Sequence, residues 1–192
     1  PSTDVVINGS FDVWQRQIGV SGPYGATGST FFADKWVRYN GITKAKLSTA
    51  KIERKTFDTN QTEVFGSPKY YASFYNNITS GGHYSGTTAD VVYIENRIED
   101  CRTAKNENVT LSFWSKCGIT GSTMDIVINQ WDGVTAYVNY PATVQLGKLW
   151  AKYEVAFGIP NVTTTPQGKH YLGVGFATQQ LTGMTYDIAK VK

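Results

Sequence analysis

The stretch Asn108-Val109-Thr110-Leu111-Ser112-Phe113-Trp114-Ser115-Lys116 decides how the rest of the chain is read. Val109, Leu111 and Phe113 fall on one side of an extended backbone and Thr110, Ser112 and Trp114 on the other, because successive side chains of a strand point to opposite faces. A strand with one strongly apolar face needs a second layer to cover it. The same alternation marks Val91 to Cys101, where Val92, Ile94 and Ile98 stand among Glu95, Asn96, Arg97 and Glu99. Outward from these two, strand-like segments recur between turn residues: Asp4 to Gln17, Thr30 to Tyr39, Lys44 to Lys55, Tyr70 to Asn76, Met124 to Trp131, Val134 to Tyr140, Trp150 to Phe157, Tyr171 to Ala177 and Thr185 to Val191. About ten strands and no long amphipathic helix predict an all-β fold. Asp132-Gly133 predicts a hairpin turn. Gly19 to Ser29 and Ser80 to Gly86, rich in glycine and serine, predict loops.

Composition agrees and narrows the function classes. A chain of 192 residues suits one large β domain covering 1–192. Aromatic residues make up 14% and charged residues 17%, a balance that fits pleated sheets better than a helical bundle. The net charge of +3 comes from 18 basic and 15 acidic residues scattered along the chain. No basic block forms the electrostatic footprint of a nucleic-acid binder, so no nucleic-acid partner is expected. No run of about 20 apolar residues predicts membrane insertion. Cys101 and Cys117 are separated by a loop and a whole strand, and both are expected as reduced thiols. Pro1 in place of Met, and a stop at Lys192 in the middle of the last predicted strand, lead us to expect a piece of a longer or processed chain.

Catalysis finds little in the sequence. There is no Gly-x-Ser-x-Gly elbow, no cysteine nucleophile with an evident histidine, and no phosphate-cradling loop, so the chain reads as a non-enzyme. Glu95, Glu99 and Asp100 read as residues of a solvated strand face. His83 and His170 have no cysteine or histidine at ligand spacing along the chain, which argues against zinc.

Ligand binding has more to work with. Flat aromatic rings stack on sugar faces while amide, carboxylate and guanidinium groups hydrogen-bond the hydroxyls. Asn129, Gln130, Trp131 and Asp132 sit together at a strand end, with Tyr137 and Tyr140 on the returning strand, and form the first candidate platform. The loop carrying His83 and Tyr84, flanked by Tyr75 and Tyr93, is the second. The other reading of these aromatics is that they fill the core or an interface with a second subunit. Trp14, Trp36, Trp114 and Trp150 lie within strand patterns and are assigned to the core.

Three segments carry a resemblance. They are Asn8-Gly9-Ser10-Phe11-Asp12-Val13-Trp14-Gln15-Arg16 followed by Ala33-Asp34-Lys35-Trp36; Asn96-Arg97-Ile98-Glu99-Asp100-Cys101-Arg102-Thr103 running into Val109 to Lys116; and Tyr186-Asp187-Ile188-Ala189-Lys190-Val191. Their order resembles a domain recurring in tailed-phage virion proteins, especially tail fibres and related appendages. It is also similar to the family 4 and 9 carbohydrate-binding modules, which share the opening Asn-Gly-x-Phe-acid motif. The resemblance implies a jelly-roll sandwich of two antiparallel sheets, galactose-binding-like in type, and a virion location. It implies binding of host cell-surface polysaccharide or, alternatively, a purely structural capsid-decoration or fibre-base module that mediates subunit assembly. The partners expected are other virion proteins and further copies of the chain, with a trimer as the expected form. The resemblance also implies a structural calcium held by Asp12 and Asp187 with main-chain oxygens near Asn8; no other cofactor is required. The alternative for those two carboxylates is turn capping, or pairing with Arg16 or Lys35.

Overall fold

The computed structural model describes residues 6–14, 19–22, 28–40, 47–78, 92–178 and 184–192. These form twelve strands: β1 (Gly19–Gly22), β2 (Gly28–Ala33), β3 (Trp36–Asn40), β4 (Leu47–Thr56), β5 (Tyr70–Ile78), β6 (Val92–Glu99), β7 (Asn108–Cys117), β8 (Ser122–Trp131), β9 (Ala136–Leu146), β10 (Ala151–Gly158), β11 (Tyr171–Thr178) and β12 (Met184–Ala189). They build two six-stranded sheets, one in the order β1-β4-β5-β12-β7-β10 and the other β2-β3-β6-β11-β8-β9, with antiparallel neighbours throughout. Among the described residues no helix is long and apolar enough to cross a membrane.

The inner faces meet in one apolar cluster. Leu111 and Phe113 of β7 share it with Ile126 and Ile128 of β8, Leu172, Val174 and Phe176 of β11, and Tyr186 and Ile188 of β12. Rings tie the layers together: Phe113 lies 4.7 Å from Phe176, and Trp36 stacks 6.4 Å from Phe176 and 4.9 Å from Phe11. Trp36 is fully buried, and Trp14 packs against the same cluster. Trp114 and Trp150 belong elsewhere. With Val64, Phe57, Tyr71 and Ala189 they form a second cluster on the outer face of the first sheet, beneath residues 57–69. Trp114 falls there because its strand neighbours Phe113 and Ser115 point inward.

Four segments depart from the sequence reading. Thr30 to Tyr39 is not one strand but the hairpin β2–β3, turned at Asp34-Lys35 with Lys35 at φ 64°. The turn is fastened from outside, since Asp34 N donates to Val13 O at 3.1 Å. The predicted loop Gly19 to Ser29 contains β1, an edge strand that exists through its pairing with β4. Within the predicted opening strand, residues 6–14 form turns, with Asn8 and Phe11 in the left-handed region. There Phe11 N and Trp36 Nε1 both donate to Asn8 O, at 3.1 Å each. The return strand β9 runs past Tyr140 to Leu146, because an irregularity opposite Ile126 to Ile128 takes up Pro141 on this edge strand.

Candidate functional site

The outer face of the second sheet follows from the inner one. The core takes Ile94 and Ile98 from β6, Leu172, Val174 and Phe176 from β11, and Met124, Ile126 and Ile128 from β8. The intervening residues therefore face outward, and register sets them in rows: Tyr93, Ala177 and Asp125; Glu95, Gly175 and Val127; Arg97, Gly173 and Asn129; Glu99, Tyr171 and Trp131. Two glycines on the central strand leave a trough. A methyl group at Gly173 would run into the Glu95 carboxylate, and one at Gly175 into the carbonyl of Ile94.

Glu95 lies across that trough with no exposed side-chain surface. Its Oε1 accepts from Arg97 Nε at 2.7 Å and its Oε2 from Asn129 Nδ2 at 3.0 Å. The same amide reaches the hydroxyls of Tyr93 at 3.2 Å and Tyr171 at 3.3 Å. Burial pushes the Glu95 carboxyl up, and the charge and hydrogen bonds of Arg97, Asn129 and Tyr171 oppose it. Burial likewise raises Tyr93, and raises Tyr171 to about 12, with the Glu95 charge acting in the same sense. Asn129 Oδ1 is buried and accepts no hydrogen bond from the described residues. The floor of the face is thus a fixed polar network.

Above this floor stand rings. The Arg97 guanidinium lies 4.1 Å from the Tyr171 ring centre and 5.9 Å from that of Phe31, which is 39% exposed. Trp131, half-buried, is the register partner of Tyr171. Tyr39 stacks on Tyr93 at 4.8 Å, and Tyr140 packs against the same small cluster with Val127 and Ala177. An aromatic strip therefore crosses the strands, carrying one guanidinium whose charge Glu95 balances.

The residues singled out in the sequence divide by face. Asn129, Trp131 and Tyr140 belong to the outer face. Gln130 points the other way, fully buried, with Nε2 donating to Cys101 O at 3.0 Å and Pro160 O at 2.9 Å. Tyr137, its register partner, stands apart from the strip on the projecting part of β9. Asp132 fastens the turn: its carboxylate accepts from Val134 N at 2.8 Å, Thr135 N at 2.6 Å and Thr164 Oγ1 at 2.6 Å. Those hydrogen bonds hold its carboxyl below the usual range. His83 and Tyr84 lie outside the described residues. Their expected flanking residues, Tyr75 and Tyr93, sit on different sheets. Sequence reasoning missed Phe31, Glu95, Arg97 and Tyr171. The signal was present in Tyr171-Leu172-Gly173-Val174-Gly175-Phe176, where glycines alternate with core residues and mark close approach on one face.

Asp12 and Asp187 do not share a site. Asp12 lines a cavity of about 230 Å³ with Asn8, Gly9, Ser10 and residues 190–192. Asp187 sits on the outer face of the first sheet, in register with Ser73 and Lys116, whose ammonium is 3.9 Å away. Burial pushes the Asp187 carboxyl up, against a hydrogen bond from Ser73 and the charges of Lys116 and Lys55. Near Asp12 the main-chain oxygens are engaged: Asn8 O as described, Gly9 O by Val191 N at 3.0 Å, and Asp12 O by Arg54 Nη1 at 3.3 Å. Calcium takes six to eight oxygen ligands, and among the described residues this set, with a single carboxylate, does not fit it. A different group of donors does converge. Asp100, Cys101 and His170 present a carboxylate oxygen, a thiol and a ring nitrogen within 4.8 Å of one another. Both cysteines are buried and free.

No protein-family model matches the chain, and no curated sequence does. Solved structures match its shape. A sugar-binding protein, described as putative, from Bacteroides thetaiotaomicron superposes with a TM-score of 0.57 at 14% identity, covering 99% of this chain and 98% of that one. A family 61 carbohydrate-binding module in complex with β-1,4-galactotriose gives 0.50 at 10% identity, covering 99% and 97%. The architecture is a jelly-roll β-sandwich. The jelly roll is also similar to the enzymatically active domain of tailspike protein 4 of bacteriophage CBA120, at a TM-score of 0.52 and 14% identity. That match covers 97% of this chain and 20% of that one, so the chain spans about a fifth of the tailspike domain's length.

Proposed function

We propose that this jelly roll is a non-catalytic glycan-binding domain of a tailed-phage virion appendage, and that it contacts host-surface polysaccharide through the outer face of its second sheet. The observation that carries the reading is the strip of Phe31, Arg97, Tyr171 and Trp131 over a buried polar network. Rings accept the apolar face of a pyranose, and Arg97 bonds its rim. The phage setting draws on the order of the sequence motifs and on the likeness to the tailspike domain.

The test is an array of bacterial surface polysaccharides and β-1,4-linked galactan oligosaccharides, followed by titration calorimetry on whatever binds. Tyr171→Ala and Trp131→Ala are expected to weaken binding by about tenfold each, the loss of one stacking contact. Tyr75→Ala, on the opposite sheet, is expected to bind as the parent does. Equal affinity in all variants removes the outer face from the reading.

A second reading, subunit assembly within the virion, is favoured by a different observation. Phe65 and Leu149 are 81% and 76% exposed, and each adjoins a residue of the cluster around Val64 and Trp150. Such bare apolar side chains suit a subunit interface. A stable trimer that dissociates on Phe65→Ser would favour assembly through that patch, and a monomer favours ligand capture.

A further inference from the structure

We propose that Asp100, Cys101 and His170 form a three-ligand site for zinc or a similar divalent transition metal, with a fourth position open to water. The site is built by strand pairing. Tyr171 at the start of β11 stands opposite Glu99 at the end of β6, so the residues just beyond them, His170 and Asp100, meet. Cys101, next along, turns into the protein and is fully buried.

The geometry is close to what a metal needs. His170 Nδ1 lies 3.5 Å from Asp100 Oδ1. Tetrahedral zinc with bonds of about 2.0–2.1 Å to nitrogen and oxygen sets those two ligand atoms roughly 3.4 Å apart. The Cys101 sulfur falls within the same 4.8 Å group.

The existing polar contacts of His170 Nδ1 are long. Cys101 N donates to His170 Nδ1 at a long 3.4 Å, which requires a lone pair on that nitrogen. Asp100 Oδ1 stands 3.5 Å from the same nitrogen, so a carboxylate oxygen and a weakly held ring nitrogen face each other. A cation placed between them would take that lone pair in place of the long backbone contact. The neighbours already orient the donors: Arg102 grips Asp100 through Nε and Nη2 at 3.0 Å each, and Gln130 Nε2 holds the Cys101 carbonyl at 3.0 Å. A donor set of sulfur, nitrogen and oxygen selects a borderline metal such as zinc over calcium or magnesium. As the metal–sulfur bond forms, the thiol proton leaves to water and no electrons change hands. This site borders the aromatic strip at Tyr171 and does not depend on glycan binding.

Cobalt(II) is the probe, added to the metal-stripped full chain and followed by absorption spectroscopy. The expected result is an intense tetrahedral visible spectrum with a thiolate-to-cobalt band in the near ultraviolet, both displaced by zinc. Cys101→Ser should abolish the thiolate band, and Cys117→Ser should keep it. His170→Gln, at a partly exposed side chain, should weaken cobalt binding by at least about tenfold without loss of fold. Absence of a tetrahedral spectrum in the parent overturns the proposal, as does a thiolate band that survives Cys101→Ser or disappears with Cys117→Ser.

Discussion

At Glu95 a carboxylate with no exposed side-chain surface is compensated by one guanidinium, one amide and the Tyr171 hydroxyl. The cost of taking the charge out of water is the larger influence, so the folded-state pKa stands above the unfolded value of about 4.3. Between those two values the folded protein holds more protons than the unfolded chain, and stability falls as pH rises through that window. Glu95→Gln keeps the size and removes the titration. It is expected to flatten the decline in stability above about pH 4.3, read from urea unfolding at several pH values. An unchanged slope would mean that burial does not dominate at this residue. Asp100 shows the opposite sign. Hydrogen bonds from Arg102 pull its carboxyl to about 2, so its contribution is present above the ordinary carboxylate range and lost in acid. Gln130 and Asp132 teach a residue-scale lesson of another kind. Polar side chains beside a tryptophan at a strand end looked like ligand contacts, yet each is spent on the protein's own backbone.

The hairpin β8–β9 shows how far local signals reach. Asp132-Gly133 announced its turn, and the turn is there, with Asp132 N bonded to Thr135 O at 3.2 Å and Gly133 at φ 99°. Glycine is needed for a second reason invisible locally: the carbonyl of Gln167 presses against the position a side chain would take. Gly133→Ala is therefore expected to lose about 1–3 kcal/mol in denaturant melts, from φ strain and displacement of that segment. Loss well below that range would show that the 167 segment yields freely. Other elements were less legible. The break between β2 and β3 depends on Val13 receiving Asp34, and β1 is a strand only because β4 lies beside it. Neither fact is written in the residues of the segment itself. The candidate face suffered similarly, since Phe31, Arg97 and Tyr171 come from three strands separated by long stretches of chain.

Across the molecule, the two sheets share one core, and Phe113 occupies its seam, 4.7 Å from Phe176 and 5.5 Å from Tyr153. Phe113→Ala is expected to cost about 3–5 kcal/mol, because a close-packed interior does not collapse to fill the space of a ring. Both sheets should melt together at a lower denaturant concentration, and separate transitions would show that the layers are not one cooperative unit. The sequence by itself determined the all-β character, the positions of most strands and the faces that go inward. These follow from a two-residue period, which is a local property of the chain. Tertiary structure alone decided which strands became neighbours. It set Gly173 against Glu95, carried Trp114 and Trp150 out of the main core, and brought His170 to Cys101 across 69 residues. Pairing between distant strands is selected by the mutual fit and burial of whole faces, a quantity that exists only once both faces are in place.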